Sequence, residues 1–115
     1  MRVKLKRVYL KPEPADDCRV LVDRLWPRGL NKRRARVDHW LKDIAPSTGL
    51  RRWYGHDPKR WAEFKRRYRS ELKGEPKAIL ELKALLKAHK VVTLLFSSKE
   101  EKLNNAAALK AYLSK

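Results

Sequence analysis

Residues 20–29 read V-L-V-D-R-L-W-P-R-G, and this stretch decides the fold because a buried strand ends within it. Its first three residues form the short aliphatic run that is typical of a strand covered on both faces. Charged side chains follow at once, at Asp23, Arg24 and Arg28. Charges at the end of a core strand are costly unless they are paired or meet a ligand. The stretch therefore predicts a central strand with a polar site at its carboxyl end.

A second buried strand is predicted at residues 91–96, which read V-V-T-L-L-F. Several helical patterns separate it from the first strand, and such a separation favours a crossover connection and parallel pairing. Residues 2–10 begin with alternating apolar and basic side chains, as a half-buried strand does, but the loop after them leaves the direction of this strand open. We expect one small α/β domain over residues 1–115, with about three mainly parallel strands layered with about five helices.

The first helix is predicted to begin after Asn31, a residue type that commonly caps helices. Apolar side chains then follow at the i, i+3, i+4 and i+7 positions of a helix face, at Val37, Trp40, Leu41 and Ile44. We therefore expect a helix from residue 32 to residue 45, ended by Pro46.

Four further helices are predicted, and each is bounded by a residue type that commonly starts or ends a helix. They cover residues 47–55, 57–74 and 76–90, and the last follows the strand at 91–96. That last helix starts either at Ser98, which has capping-box spacing with Glu101, or near Ala106 after the asparagine pair.

The charge of the chain is strongly one-sided. It carries 30 Lys and Arg residues against 13 Asp and Glu residues, so its formal net charge is +17 at pH 7. An excess of this size is typical of proteins that associate with polyanions such as nucleic acid, anionic lipid or phosphorylated ligands. The alternative is a charged surface that serves solubility and heat resistance.

The single cysteine, Cys18, excludes an internal disulfide and a cysteine metal cluster. The apolar runs are too short to cross a membrane, and the basic start is not followed by the apolar segment of a secretory signal. We expect a cytoplasmic location and no membrane association.

A candidate site follows from the parallel arrangement, because ligands of open α/β sheets bind at the carboxyl ends of the strands. Pairing of the two buried strands would bring together Asp23, Arg24, Arg28, Ser97, Ser98 and Lys99. Guanidinium groups, an ammonium and the amides of a helix start are the groups that hold phosphate or carboxylate. We therefore expect an anion pocket. The competing interpretation is that Asp23 pairs with Arg24 or Arg28 and only fixes the turn.

Other polar residues have two interpretations each. His56, before an Asp-Pro helix start, and Asp23 are candidates for proton transfer, although a histidine in such a place more often packs locally. Asn104 and Asn105 either cap the last helix or offer their amides to a ligand. The chain has no P-loop, Rossmann glycine fingerprint, nucleophile elbow or zinc-ligand spacing, so we predict no cofactor and no metal.

Several segments resemble the YeaO-like family of bacterial and archaeal proteins, which carry DUF488, a domain of unknown function. The matching segments are V-L-V-D-R-L-W-P-R-G-L (20–30), W-L-K-D-I-A-P-S-T (40–48), L-R-R-W-Y-G-H-D-P (50–58), W-A-E-F-K-R-R-Y (61–68), V-T-L-L-F-S-S-K (92–99) and N-N-A (104–106). The resemblance implies a compact α/β domain and specifies no reaction.

The resemblance also implies a set of characteristic polar positions, which fall on Asp23, Arg24, Arg28, Lys42, His56, Asp57, Lys99, Asn104 and Asn105. One position departs from the family pattern, which usually has a histidine just before the asparagine pair. This chain has Leu103 there. A mechanism that needs a base at this position is therefore weakened.

Three functional hypotheses follow. The preferred one is a small-ligand protein, either a binding protein or an enzyme, with Asp23 or His56 available for proton transfer. Its anion pocket would be formed by Arg24, Arg28, Lys99, Asn104 and Asn105. The second is a nucleic-acid-binding module that uses the basic segments 32–36 and 59–69, although no recognition motif accompanies them. The third is an adaptor whose basic surface docks an acidic partner.

Overall fold

The computed structural model describes residues 2–114 and contains one parallel sheet. Its strands are β1 (Arg2–Arg7), β2 (Cys18–Leu21), β3 (His39–Trp40) and β4 (Val91–Phe96). Their order across the sheet is β1-β4-β2-β3, and every pairing is parallel. β4 is central: Leu94 is in register with Leu5 on one side and with Val20 on the other. The predicted small α/β fold is confirmed, and β1, whose direction the sequence left open, is parallel.

Five α-helices occur within residues 2–114: α1 (Lys32–Ala35), α2 (Thr48–Tyr54), α3 (Trp61–Lys73), α4 (Pro76–Ala88) and α5 (Asn105–Leu113). Single 3₁₀ turns lie at Pro14–Asp16, Lys42–Ile44 and Pro58–Arg60. The predicted caps of α2 are confirmed. The Ser47 hydroxyl accepts from the Leu50 amide at 3.1 Å, and Gly55 ends the helix with a φ of +52°.

The strands direct alternate side chains to two separate cores. The larger core lies between one face of the sheet and helices α2 to α5, and it contains Val20, Leu94 and Phe96. The smaller core lies on the opposite face, where Leu21 and Leu95 pack with Trp26 and Trp40. The longer helices therefore share one face, and loops cover the other.

The loop-covered face also contains a buried ionic cluster around Asp16. The Asp16 carboxylate is fully buried and lies 2.6 Å from the Arg19 guanidinium and 2.9 Å from the Lys6 ammonium. Burial opposes ionisation of this carboxyl, but the hydrogen bonds from Lys6, the Glu13 amide and Arg19 outweigh it and lower its pKa to about 2. Arg19 in turn donates to the carbonyls of Ala35 and Arg36. The cluster therefore fixes the segment that follows α1.

The predicted helix over residues 32–45 is wrong beyond its first turn. Asn31 does cap α1, accepting from the Arg34 amide at 3.1 Å, but the helix ends at Ala35 and Arg36 takes a left-handed φ of +48°. The chain then forms β3, which pairs with β2, and the 3₁₀ turn Lys42–Ile44. The reason is that the four apolar side chains at helical spacing belong to different cores. Those of Val37 and Trp40 enter the smaller core, and those of Leu41 and Ile44 enter the larger one.

The last helix begins at Asn105, as the second alternative predicted. The Asn104 Oδ1 atom accepts from the Ala107 amide at 2.8 Å. The capping-box alternative is wrong, because residues 97–104 form a loop in which the Ser98 hydroxyl accepts from the Glu100 amide. No helix within residues 2–114 has both the length and the apolar composition needed to cross a membrane.

Candidate functional site

A cleft of about 110 Å³ lies where β2 and β4 end and α5 begins. Its lining includes the aromatic rings of Tyr54 and Phe64 and a set of polar side chains that come from four separate segments. The polar lining residues are Asp23, Arg24, Arg51, His56, Ser97, Ser98, Asn104 and Asn105. The parallel pairing of β2 with β4 thus brings the two strand ends together, as the sequence predicted.

Asp23 joins the end of β2 to the end of β4 and to α5. Its Oδ2 atom accepts from the Ser97 amide at 2.9 Å and from the Ser97 hydroxyl at 2.7 Å. Its Oδ1 atom accepts from the Asn105 side-chain amide at 3.0 Å. Neither Arg24 nor Arg28 forms an ion pair with it in the described part of the chain, so the interpretation that Asp23 pairs with an arginine is wrong.

Asn105 presents an acceptor, and not a donor, to the cleft. Its Nδ2 group donates to the Val22 carbonyl at 3.1 Å and to Asp23 at 3.0 Å, which uses both amide hydrogens. The Oδ1 atom remains as the hydrogen-bonding atom of this side chain that a ligand can use. Together with the oxygens of Asp23 and Ser97, it forms what we call the acceptor set.

Two arginines and a histidine line the same cleft and form what we call the donor set: Arg24, Arg51 and His56. Arg24 is partly buried, and its guanidinium donates to the carbonyls of Ala45 at 2.9 Å and Pro46 at 3.4 Å. These contacts fix the group without using all of its N–H donors. Arg51 and His56 are exposed to solvent.

The position of His56 depends on a local left-handed turn. Gly55 and His56 have φ values of +52° and +58°, and the imidazole lies 5.9 Å from the Tyr54 ring. Histidine is one of the few side chains that occur repeatedly in this conformation, and such backbone often accompanies functional sites. The turn directs His56 to the cleft, which the sequence alone did not establish.

Tyr54 and Glu100 hold the loop beside the cleft. The Tyr54 hydroxyl donates to the Leu103 carbonyl at 2.7 Å, and burial raises the pKa of Tyr54, so this proton is retained. The amides of Lys102 and Leu103 donate to the Glu100 carboxylate and lower its pKa, with a smaller contribution from His56.

Several predicted site residues lie elsewhere or have structural contacts. Arg28 and Lys99 are exposed and do not line the cleft. Asn104 lines it but is almost fully buried as the cap of α5. Asp57 caps the turn before α3, and the Lys42 ammonium lies 4.1 Å from the centre of the Trp40 ring. No group of three or more His, Cys, Asp or Glu side chains within residues 2–114 is arranged to hold a metal ion.

Sequence reasoning missed Arg51 and Tyr54 as lining residues. Both lie on α2, three positions apart, and therefore on the same side of the helix. Arg52 is adjacent in sequence but lies outside the cleft. The helical spacing from Tyr54 is the signal that distinguishes the two arginines.

The fold and the cleft define a small parallel α/β domain with a polar site at the carboxyl ends of its two central strands. Over residues 2–115 the chain matches the family model described as the inactive DUF488-N3 subclade. It is 43% identical over 113 residues to an uncharacterised protein of Mycobacterium tuberculosis, covering 98% of this chain and 94% of that one. It is 38% identical over 113 residues to the uncharacterised protein YeaO of Escherichia coli, covering 98% and 97% of the two chains. The chain therefore belongs to the YeaO-like DUF488 family. No solved structure matches it.

Proposed function

We propose that the cleft binds a small molecule that carries both an anionic group and hydrogen-bond donors, and that it does so without converting it. The observation that carries this proposal is the juxtaposition of the donor set with the acceptor set in one small cleft. An inorganic anion would use only the donor set, and an uncharged polyol would use only the acceptor set. Phosphorylated or carboxylated polyols and amino acids have both kinds of group.

The donor set supports binding of the anionic group. Guanidinium groups offer paired N–H donors that match phosphate and carboxylate oxygens. The first amides of α5, a helix of nine residues, lie next to the cleft and favour negative charge. Arg51 is the strongest test of this part, because its exposed side chain has no described contact that holds the fold.

The acceptor set supports binding of donor groups on the ligand. The hydroxyl hydrogen of Ser97 is used by Asp23, and the amide hydrogens of Asn105 are used by Val22 and Asp23. The remaining lone pairs accept from hydroxyl or amine groups. These contacts also keep the negative charge of Asp23 solvated by three donors, which reduces its repulsion of an anionic ligand.

Two features support binding without turnover. Both oxygens of Asp23 are used in contacts that hold strand ends together, which suits a positioning residue better than a proton carrier. This chain has Leu103 where the family resemblance implies a histidine, and the matching subclade is described as inactive.

The test is a thermal-shift screen with glycerol 3-phosphate, 3-phosphoglycerate, serine and glutamate, with glycerol and inorganic phosphate as probes that have one feature each. We expect at least one two-featured compound to raise the melting temperature more than either single-feature probe, because a ligand that binds only the folded state stabilises it by mass action. Arg51→Ala should reduce the shift, and Arg52→Ala, which removes the same charge one position away, should not.

Three results would contradict the proposal. The binding part is wrong if no two-featured compound shifts the melting temperature, or if Arg51→Ala and Arg52→Ala affect the shift equally. The statement on turnover is wrong if NMR spectra of a bound compound change with time in the presence of the protein and stay constant with the Asp23→Asn variant.

A further inference from the structure

A groove on the loop-covered face of the sheet is lined almost entirely by cations. Lys11 from the loop after β1 and Arg33, Arg34 and Arg36 from the segment around α1 line it together with Pro12, and all four basic side chains are exposed. We call these four side chains the basic groove. It shares no lining residue with the cleft at the strand ends.

The described lining of the basic groove carries four positive charges and no negative charge. The sequence has no Asp or Glu from residue 24 to residue 37. None of the four cations takes part in an ion pair within residues 2–114. The acids nearest in sequence have other hydrogen-bond partners: Glu13 lies 2.8 Å from the Lys6 ammonium, and Asp38 accepts from the Arg19 amide at 2.8 Å. Both acids line an adjoining groove, which they share with Arg36.

The backbone beneath the basic groove is held firmly. Arg19 is buried and donates to the Ala35 carbonyl at 2.8 Å and to the Arg36 carbonyl at 3.1 Å. Ala35 is itself buried, so α1 is anchored by its inner side while its cations remain outside. α1 is a single turn, and its cations are therefore concentrated on a fixed support. Because this backbone is already ordered, less conformational entropy is lost when a ligand binds to it.

We propose that the basic groove binds the phosphodiester backbone of a nucleic acid. Separate cations on flexible stems match a row of phosphates, and the net charge of +17 draws such a polyanion to the surface. An acidic protein partner fits less well, because stable protein interfaces have an apolar centre with aromatic or aliphatic anchors. Among residues 2–114, Pro12 is the one apolar residue that lines the groove.

The experiment measures fluorescence anisotropy of labelled single-stranded RNA, single-stranded DNA and duplex DNA over a series of salt concentrations. The test variant is Arg33→Ala with Arg34→Ala. The matched control is Lys83→Ala with Lys87→Ala, which removes the same charge from exposed positions on α4. Each lost phosphate contact should make the slope of log K against log salt shallower by about 0.7 to 0.9. We therefore expect the slope of log K against log salt to become shallower by about 1.5 in the test variant and to stay at the wild-type value in the control.

The outcomes separate this proposal from its competitors. Equal slopes for the two double variants would mean that net charge alone attracts the polyanion, and the proposal would be wrong. Absence of binding at low salt would also overturn it, as would competition by poly-glutamate as strong as that by unlabelled nucleic acid at equal charge, which would indicate an acidic protein partner. A cooperative melting transition of both variants, at or above the wild-type melting temperature, establishes that the comparison concerns folded protein. The three probes identify the kind of nucleic acid.

Discussion

Asp23 is the residue on which the geometry of the cleft depends most. It accepts three hydrogen bonds from Ser97 and Asn105, which come from different parts of the chain. In Asp23→Asn, the new NH₂ group would face one of these donors, leaving a poorly satisfied pair close to the core. We expect the free energy of unfolding to fall by about 1 to 3 kcal/mol, measured by urea denaturation.

The control for this prediction is Asp43→Asn, which makes the same chemical change at an exposed position. Its effect should stay within about 0.5 kcal/mol, as is usual for surface substitutions. Equal effects of the two variants would show that the contacts of Asp23 contribute little to stability.

Asp16 gives a prediction for the dependence of stability on pH. Its pKa is lowered from 3.8 to about 2 in the folded protein, since its hydrogen bonds and charged neighbours outweigh the effect of burial. A carboxyl with a lowered folded-state pKa stabilises the fold above its unfolded pKa. This contribution, about 2 kcal/mol, is lost as the pH falls from about 4 toward 2. Urea denaturation between pH 5 and pH 2 measures the loss, and carbon NMR of the Asp16 carboxyl measures the pKa. A native-state pKa near 3.8 would refute the prediction.

Alanine substitutions at Gly49, inside α2, and at Gly55, which caps its end, should change the free energy of unfolding in opposite directions. Gly55 ends the helix with a φ of +52°, a conformation that is unfavourable for a residue with a Cβ atom, so Gly55→Ala should lower the free energy of unfolding by about 1 kcal/mol. Gly49 lies inside the helix, and a Cβ atom added there meets nothing within 4 Å. Gly49→Ala should therefore stabilise the protein by about 0.5 to 1 kcal/mol. Chemical denaturation of both variants tests the pair, and a shift of the same sign would contradict it.

The segment from α1 to Ile44 shows that local sequence patterns do not always predict secondary structure correctly. Caps at Asn31, Ser47 and Asn104 were predictable because capping depends on neighbouring residues only. The helical spacing of Val37 and Trp40 with Leu41 and Ile44 was misleading because a sheet edge lies between the two pairs. Which core each side chain enters depends on the pairing of β3 with β2, a contact between distant parts of the chain.

The candidate site was predictable to a similar extent. The meeting of the ends of β2 and β4 follows from the parallel topology, so the proximity of Asp23, Ser97 and Asn105 could be expected. The direction of each hydrogen bond could not be expected from the sequence. That direction determines that Asn105 presents an acceptor to the cleft. Arg28 is close in sequence to Arg24 but lies within the turn from Pro27 to Leu30, outside the cleft.

The whole molecule is small compared with the range of its own electrostatic field. Its extents are 35 × 30 × 20 Å, and it carries a net charge of +17. At about 0.01 M salt, charges interact over about 30 Å, so cations on opposite sides of the protein repel one another; at about 0.1 M this range falls to about 10 Å. The exposed ion pairs, such as Glu63 with Arg66, are screened by solvent, contribute little to stability and do not offset this repulsion.

Sodium chloride should therefore stabilise this protein, in contrast to proteins held by exposed ion pairs. We expect the melting temperature to rise steadily between about 0.01 M and 0.3 M salt because screening relieves repulsion that the expanded unfolded chain largely avoids.

The variant with Lys83→Ala and Lys87→Ala removes two exposed cations from α4 without a described contact. It should melt higher than the wild type at low salt, and the difference should shrink at high salt. Calorimetry over the salt series tests both statements. A melting temperature that falls with salt would mean that attraction within the folded state, centred on the Asp16 cluster and Glu63, exceeds the repulsion produced by the excess of cations.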